Sequence, residues 1–212
     1  MDDSIPTRDK LLDAAARLFA ERGIDNVSIR EIVRTAGQRN ASAVHYHFGS
    51  RDEVLRAVLA RHVPAIAERR LELLEYARCR PATDVRSAAE AVVRPLTEFA
   101  QRGWRERAYL VVGSELIGVV DRATPEIAEL MTQTAGFAAW DLLRERCPEV
   151  AFDLWQERKY LCILLISRAA ADRARRLEAG GEHPLLNLSD DRFVDNLIDM
   201  VIGAMTAPHG GG

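Results

Sequence analysis

The sequence has few cysteines, and none of them is spaced for a metal or redox site. Cys79, Cys147 and Cys162 are odd in number and far apart. Structural zinc sites and thioredoxin-like motifs require Cys-x-x-Cys or a comparable cluster. His45 and His47 do not change this, because residues two apart on a helix point in nearly opposite directions. We therefore predict reduced, structural thiols and no metal ion.

The sequence also lacks long apolar runs and the motifs of common enzymes. No stretch approaches the ~20 apolar residues of a membrane helix, and no basic segment precedes an apolar one at the N-terminus, so we predict a cytoplasmic protein. A Gly-rich phosphate loop is absent, and Gly113-Ser114 lacks the Gly-x-Ser-x-Gly frame of a nucleophilic serine. We expect neither an enzyme nor a cofactor.

Strict alternation of apolar and polar residues is almost absent, whereas apolar residues recur at helical spacing along most of the chain. The sequence therefore predicts an all-α protein. Capping residues, glycines and prolines divide it into helices. The expected helices span residues 7–22, 28–36, 39–46, 51 onward with a kink or interruption at Pro64, 84–102, 105–120, 125–146, 149–177 and 190–206.

Positive charge is concentrated in one short segment of a chain that is acidic overall. The formal net charge is -3, but residues 28–51 contain four arginines and two histidines against one acid, Glu31. Ser28 and Glu31 have the spacing of a capping box, Gly37 ends the helix that they open, and a short polar helix follows. A basic helix-turn-helix of this kind favours DNA binding, although a solvated surface is the alternative for its arginines.

The N-terminal part resembles the tetracycline-repressor (TetR) family of bacterial transcriptional regulators. The resemblance rests on the order and spacing of five segments, which read Leu-Leu-Asp-Ala-Ala (11–15), Leu-Phe-Ala-Glu-Arg-Gly (18–23), Ser-Ile-Arg-Glu-Ile (28–32), Ala-Gly (36–37) and Tyr-His-Phe-Gly-Ser-Arg (46–51). It implies a three-helix helix-turn-helix domain at residues 1–50 and a larger helical domain for effector binding and dimerisation at residues 51–212. That second part resembles the family in being helical and of suitable length.

The resemblance also implies which residues contact DNA. One residue more than in the common family pattern lies between Gly37 and Val44, so the family's tyrosine position falls on His45, while helical phase favours Tyr46. Both are kept. Bidentate pairing of Arg with guanine, or of Asn and Gln with adenine, would read the bases. The expected DNA-binding residues are Ser28, Arg30, Gln38, Arg39, Asn40, Ser42, His45, Tyr46 and Arg51.

Two further sets of residues follow from the resemblance, and ordinary core packing is the alternative for both. Aromatic residues of the larger part, together with Glu115 in an apolar helix, are expected around an effector cavity. Apolar stripes on the last two helices are expected to form a four-helix bundle with a second subunit. The expected pocket residues are Phe99, Trp104, Tyr109, Glu115, Phe137 and Trp140. The expected interface residues are Trp155, Leu161, Leu165, Phe193, Leu197, Met200 and Val201.

The sequence therefore predicts a homodimeric, one-component transcriptional regulator that binds a palindromic operator in double-stranded DNA. We expect a repressor that a small hydrophobic or amphipathic effector releases from the operator. Acyl, acyl-CoA, sterol-like, aromatic and drug-like effectors all remain open. An activator of the same fold is the first alternative, and a helical ligand-binding protein or enzyme without DNA binding is the second.

Overall fold

The computed structural model of the protein describes residues 6–38, 42–117, 125–180 and 187–208. These ranges consist of helices joined by turns and loops, which confirms the all-α prediction. The helices are α1 (Thr7–Arg22), α2 (Ile29–Thr35), α3 (Ser42–His47), α4 (Arg51–Ala60), α5 (Val63–Arg78), α6 (Val85–Phe99), α7 (Trp104–Ile117), α8 (Pro125–Thr132), α9 (Gly136–Glu145), α10 (Phe152–Glu178) and α11 (Asp190–Thr206). A short 3₁₀ turn, Ile24–Asn26, joins α1 to α2.

Local signals in the sequence set the ends of α1 and α2. The Ser28 side chain accepts a hydrogen bond from the Glu31 N–H at 3.3 Å, and the Glu31 carboxylate accepts one from the Ser28 N–H at 2.9 Å. This is the predicted capping box. Gly23 and Gly37 adopt φ values of 84° and 69°, which are strained for residues with a Cβ atom, and so allow the chain to turn after each helix.

The predicted interruption at Pro64 is confirmed. Helix α4 ends at Ala60 and α5 begins at Val63, which places Pro64 in the first turn of α5, where a missing N–H leaves no helical hydrogen bond unmade. His62 lies at the junction and is buried. The interruption separates α4, which packs on α1, from α5, which packs on α6.

The prediction of one helix over residues 125–146 was wrong, because α8 and α9 are separate helices. Ala135 between them has a φ of 57°, a left-handed conformation that ends a right-handed helix. The carbonyl of the preceding residue, Thr134, accepts a hydrogen bond at 2.5 Å from Nη1 of Arg70 on α5. The periodicity of the segment carries no sign of this break, since the interaction partner lies 64 residues away.

Two hydrophobic clusters form the core. The first contains residues of the helices α1 through α5, of α7 and α8, and of the C-terminal part of α10. The second lies between α5, α6, α9, α10 and α11. Because the first cluster extends across residue 50, the division into residues 1–50 and 51–212 stays a prediction. Within the described ranges, no helix combines the length and the apolarity that a membrane crossing requires.

Candidate nucleic-acid interface and ligand cavity

Helix α3 buries one side and exposes the other. Val44 is fully buried in the first cluster, and Phe48 just after the helix packs against the same cluster. Tyr46 is 85% exposed and meets the ring of His47 edge-on, with 5.0 Å between centroids. The hydroxyl of Tyr46 therefore faces away from the core, in agreement with the helical phase.

The side chain of His45 is exposed but fixed in orientation. Its Nδ1 lies 2.9 Å from the carbonyl oxygen of Gly49, so this nitrogen carries the hydrogen of that bond. Nε2 then points outward as an acceptor in the neutral ring and as a donor in the protonated ring. A phosphate contact from His45 would require the protonated form, whereas Tyr46 can donate its hydroxyl hydrogen directly. Both contacts stay predictions.

Helix α2 carries two exposed arginines, and the neighbouring carboxylate, Glu31, has hydrogen-bond partners other than these arginines. Arg30 and Arg34 are exposed. Glu31 accepts hydrogen bonds from Ser28 and from Arg22 Nη1, the latter at 3.0 Å. The hydrogen bond from the Ser28 backbone, with help from its hydroxyl and from Arg22, holds the pKa of Glu31 below its usual value. Glu31 therefore stays ionised, but its charge is engaged at the helix start.

Several predicted DNA contacts remain open. Arg39 and Asn40 lie outside the described residues, and the side chain of Ser42 does as well. Gln38 is half-buried directly after α2, and its N–H donates to the Val33 carbonyl at 2.9 Å. The Ser28 hydroxyl donates to Glu31 at 2.7 Å, so a phosphate contact from Ser28 would use its second lone pair or its backbone.

Arg51 was expected on the DNA backbone, and this contact stays a prediction; the structure shows its partly buried guanidinium group bonded to backbone carbonyls of the protein. Nε donates to the Val27 carbonyl at 2.8 Å, and Nη2 donates to the Ile24 carbonyl. The guanidinium carbon also lies 5.5 Å from the ring centre of Phe19. Arg51 thus fastens the loop between α1 and α2 to the start of α4, which is a role in positioning α2 and α3.

A cavity of about 210 Å³ lies in the larger part of the molecule. Its walls come from α5, α6, α7, α9 and α10. Three of the predicted pocket residues, Tyr109, Phe137 and Trp140, line it. Tyr109 and Trp140 are buried, whereas Phe137 is 56% exposed and lies at the rim beside Lys159, whose ammonium is 5.6 Å from the ring centre.

The other three predicted pocket residues are not among the residues found to line this cavity, and each has another partner. Phe99 is buried in an aromatic group with His62 and Tyr109, at centroid distances of 5.5 Å and 5.8 Å. Trp104 stacks on the guanidinium of Arg17 from α1, with 3.7 Å to the ring centre. Burial in the core explains Phe99, whereas Trp104 is half-buried and lines a second pocket together with Arg17.

Glu115 faces α1 and α2. One carboxylate oxygen accepts a hydrogen bond at 3.0 Å from the backbone N–H of Ile24, in the loop between those helices. Glu115 was expected to need a polar partner. That partner is a backbone N–H group 91 residues earlier in the chain. This contact ties α7 to the helix-turn-helix segment.

Arg70 is a cavity residue that the sequence analysis missed. Its side chain is buried, Nε donates to the Ala91 carbonyl at 3.2 Å, and Nη1 donates to the Thr134 carbonyl. Burial lowers the pKa of Arg70 to about 10 and raises that of neighbouring Tyr109 to about 12. Its position in the sequence could have indicated this burial, because Arg70 lies four residues after Ile66 and therefore on the apolar side of α5.

A second set of charges joins the two parts of the molecule. Asp13 on α1 accepts hydrogen bonds from Arg105 at 2.6 Å and 2.8 Å, and from Arg61 at 2.8 Å. Burial alone would raise the pKa of Asp13, but the hydrogen bonds and charges of Arg105 and Arg61 outweigh it, so the pKa lies below its usual 3.8.

The predicted interface residues on α10 and α11 divide into two groups. Trp155, Leu197 and Val201 are buried within the chain, in the second hydrophobic cluster, so an interface between subunits cannot use them without repacking that cluster. Leu161 and Met200 are 59% and 48% exposed. Leu165 and Phe193 are half-buried. The exposed face of these two helices is the part of the prediction that a partner subunit can cover.

Comparisons with known proteins agree with this geometry. Residues 11–58 match the model of bacterial regulatory proteins of the tetR family. The transcriptional repressor KstR2 from Rhodococcus jostii is 46% identical over 56 residues, which are 24% of this chain and 27% of that protein. The chain spans between 25% and 40% of the length of the curated relatives that it matches. Sequence similarity is therefore restricted to part of each protein.

Solved structures are similar over almost the full length. A TetR-family regulator from Bordetella parapertussis is 19% identical with a TM-score of 0.66, covering 96% of this chain and 98% of that one. AibR, solved with isovaleryl coenzyme A and operator DNA, is 16% identical with a TM-score of 0.58, covering 92% and 97%. At these identities the likeness shows a shared fold. The match to the tetR family is therefore shown for residues 11–58, and the chain as a whole shares the fold of these regulator structures.

Proposed function

We propose that the protein is a homodimeric transcriptional regulator that acts in the cytoplasm, binds a palindromic DNA operator and leaves it when a small effector occupies the cavity. The exposed side of α3, the cations of α2 and the cavity are the features that support this reading. KstR2 is named a repressor, and AibR was solved with both a ligand and DNA. No covalent chemistry is required, because each ligand acts by its binding free energy.

The observation that carries the proposal is the position of α7 between the two sites. Tyr109, Gly113 and Ser114 on this helix line the cavity. Ala108 and Val112 belong to the hydrophobic cluster that contains α1. A side chain or ligand that moves α7 therefore also acts on the packing of the helix-turn-helix segment.

Effector release then follows from a shift between two arrangements of the dimer. An effector that binds one position of α7 more tightly than the other populates that position in proportion to the difference in affinity. Two recognition helices related by a twofold axis must lie roughly 34 to 36 Å apart to enter successive major grooves. A small displacement of α1 relative to α7 changes that spacing and weakens operator binding.

Selection of bound sequences from random DNA tests the proposal, followed by titration of the enriched sequence over a salt series. We expect a palindromic motif, and a binding constant whose logarithm falls linearly with the logarithm of salt concentration. Binding that is weak and indifferent to sequence would overturn the proposal. A reporter gene placed behind the selected operator gives the sign of regulation, since a repressor lowers expression and an activator raises it.

A further inference from the structure

The cavity has a buried charged group, Arg70, in a mostly apolar wall. Arg70 is 5% exposed and lines the cavity together with Leu96, Trp140 and Ile166. Within the described ranges, the residues that line the cavity include two cations, Arg70 and Lys159, and no aspartate or glutamate. We infer that the effector of this protein is a small amphipathic carboxylate whose anionic group binds Arg70. This inference rests on the proposed function and names the chemical class of its effector.

The two hydrogen bonds of Arg70 show why N–H donors are needed at this position, but they do not show why the donor carries a positive charge. Helix α6 contains Pro95 four residues after Ala91, so the Ala91 carbonyl lacks the N–H that it would normally accept. Arg70 Nε supplies that donor, and Nη1 supplies one to Thr134 at the break between α8 and α9. Both acceptors are neutral carbonyls, and a guanidinium group has five N–H donors. Neutral donors could bind the same two backbone carbonyls. The chain nevertheless has a cation at this position beside the cavity.

A buried cation of this kind is stabilised by an anion that enters the cavity. Placing a charge away from water is costly unless it is paired, and within the described ranges burial and Tyr109, not a carboxylate, act on the charge of Arg70. Guanidinium binds a carboxylate through parallel N–H···O bonds, the strongest polar contact available to it. The depressed pKa of Arg70, about 10, still leaves the group protonated at neutral pH. Tyr109 beside it keeps its hydroxyl hydrogen and can donate as well.

Cavity volume and wall chemistry define the rest of the ligand. An apolar cavity of about 150 Å³ accepts benzene. The cavity of this protein, about 210 Å³ in volume, therefore fits an aryl or alkyl carboxylate of about ten non-hydrogen atoms. The tail would contact Trp140 and Ile166, and the exposed Phe137 and half-buried Lys159 would lie on the solvent side of the ligand. Octanoate and phenylacetate have this size and shape.

The test compares each acid with its own neutral amide. Octanoate, octanamide, phenylacetate and phenylacetamide are titrated calorimetrically into the wild-type protein without DNA. At least one acid should bind, with the matching amide at least about tenfold weaker, because the amide loses the charge-assisted contact. Acid and amide of equal affinity, or no binding by either acid, would overturn the inference. Tighter binding of octanoyl coenzyme A than of octanoate would also overturn it, since the cavity would then select a neutral acyl group.

Variants locate the contact on Arg70. Arg70→Met should bind the acid and the amide equally, whereas Arg70→Lys should keep part of the preference and Lys159→Met, the control at the rim, most of it. If Arg70→Met does not fold, the ratio of acid to amide affinity in the wild-type protein decides the question. An operator titration with the acid is a separate measurement. Acid binding without DNA release supports the carboxylate site and contradicts the regulatory function, while DNA binding without acid binding does the reverse.

Discussion

Glu115 and Arg51 both form hydrogen bonds with the backbone of Ile24, one with its N–H group and the other with its carbonyl group. Glu115 accepts a hydrogen bond from the Ile24 N–H at 3.0 Å, and Arg51 donates to the Ile24 carbonyl. The first residue lies on α7, next to the cavity wall, and the second at the start of α4. The loop between α1 and α2 is therefore tied both to α4, which follows α3, and to α7, which lines the cavity.

Removal of the Glu115 carboxylate should weaken the attachment of the helix-turn-helix segment. We expect Glu115→Ala to lower the free energy of unfolding by about 1 to 3 kcal/mol, because the Ile24 N–H loses a charged acceptor in a partly buried place. Glu115→Gln should lie between wild type and alanine, since its amide oxygen can still accept. Denaturant unfolding measures both, with Glu149→Ala on the exposed surface as the control. Equal stability of Glu115→Ala and Glu149→Ala would contradict the assignment.

Arg51 and Arg34 should respond in opposite ways to loss of their charge. Arg51→Met leaves the Ile24 and Val27 carbonyls without a donor and should cost about 1 to 3 kcal/mol of stability. Arg34→Met, on the exposed side of α2, should change stability by less than about 0.5 kcal/mol. If Arg34 contacts phosphate, the salt dependence of operator binding should become shallower by about one unit of slope. A loss of stability confined to Arg34→Met would reverse both assignments.

Tyr46→Ala should weaken operator binding while leaving the fold intact. The side chain is 85% exposed, so truncation removes little packing, and thermal unfolding should stay close to that of wild type. If the hydroxyl or ring meets DNA, operator affinity should fall by about tenfold, corresponding to one lost contact of 1.4 kcal/mol. Tyr76→Ala, which removes a 54% exposed tyrosine from α5, is the control for surface truncation. Unchanged operator affinity in Tyr46→Ala would show that this residue does not contact the operator.

His62 should make stability depend on pH in the mildly acidic range. Burial lowers the pKa of His62 from 6.5, partly opposed by Glu106, whose carboxylate is 4.0 Å from Nδ1. Arg61 and Arg105 add to the lowering, while Asp13 opposes it. The unfolded chain therefore takes up a proton near pH 6.5 that the folded chain does not.

The free energy of unfolding should consequently fall as the pH drops below 6.5 toward the lowered pKa of the folded state, and the effect should be absent above 6.5. His62→Gln should flatten the stability profile between pH 6.5 and the acid range. The exposed histidine variant His45→Gln is the control. Parallel profiles for wild type and His62→Gln would show that the buried ring does not contribute.

Leu161→Arg should separate the subunits of the proposed dimer. The residue is 59% exposed on α10, so an arginine there is tolerated by the single chain and opposed by an apolar partner surface. Analytical ultracentrifugation should show a monomer, and binding to the palindromic operator should weaken. Leu71→Arg, at a 48% exposed position on α5, should remain dimeric. A dimeric Leu161→Arg would require a different interface.

Much of the local structure was predictable because its causes lie within a few residues. The Ser28–Glu31 capping box, the turn at Gly37 and the interruption at Pro64 each depend on neighbouring positions, and the structure contains all three. The family of the N-terminal segment and the all-α fold follow from the same kind of signal. The buried and exposed sides of α3 were predictable too, since helical geometry fixes which residues share a side.

Tertiary packing decided the roles of Arg51, Arg70 and Glu115, because their partners lie 27, 64 and 91 residues away. An arginine on an apolar stripe or a glutamate in an apolar helix indicates that a polar partner is needed, but the fold selects whether that partner is a loop, a ligand or DNA. The sequence by itself determined the helical class of the chain, most helix boundaries and caps, and the match of residues 11–58 to the tetR family. Only the folded chain decided which polar side chains join helices and which line the cavity, since hydrogen bonds depend on distances that chain order does not contain.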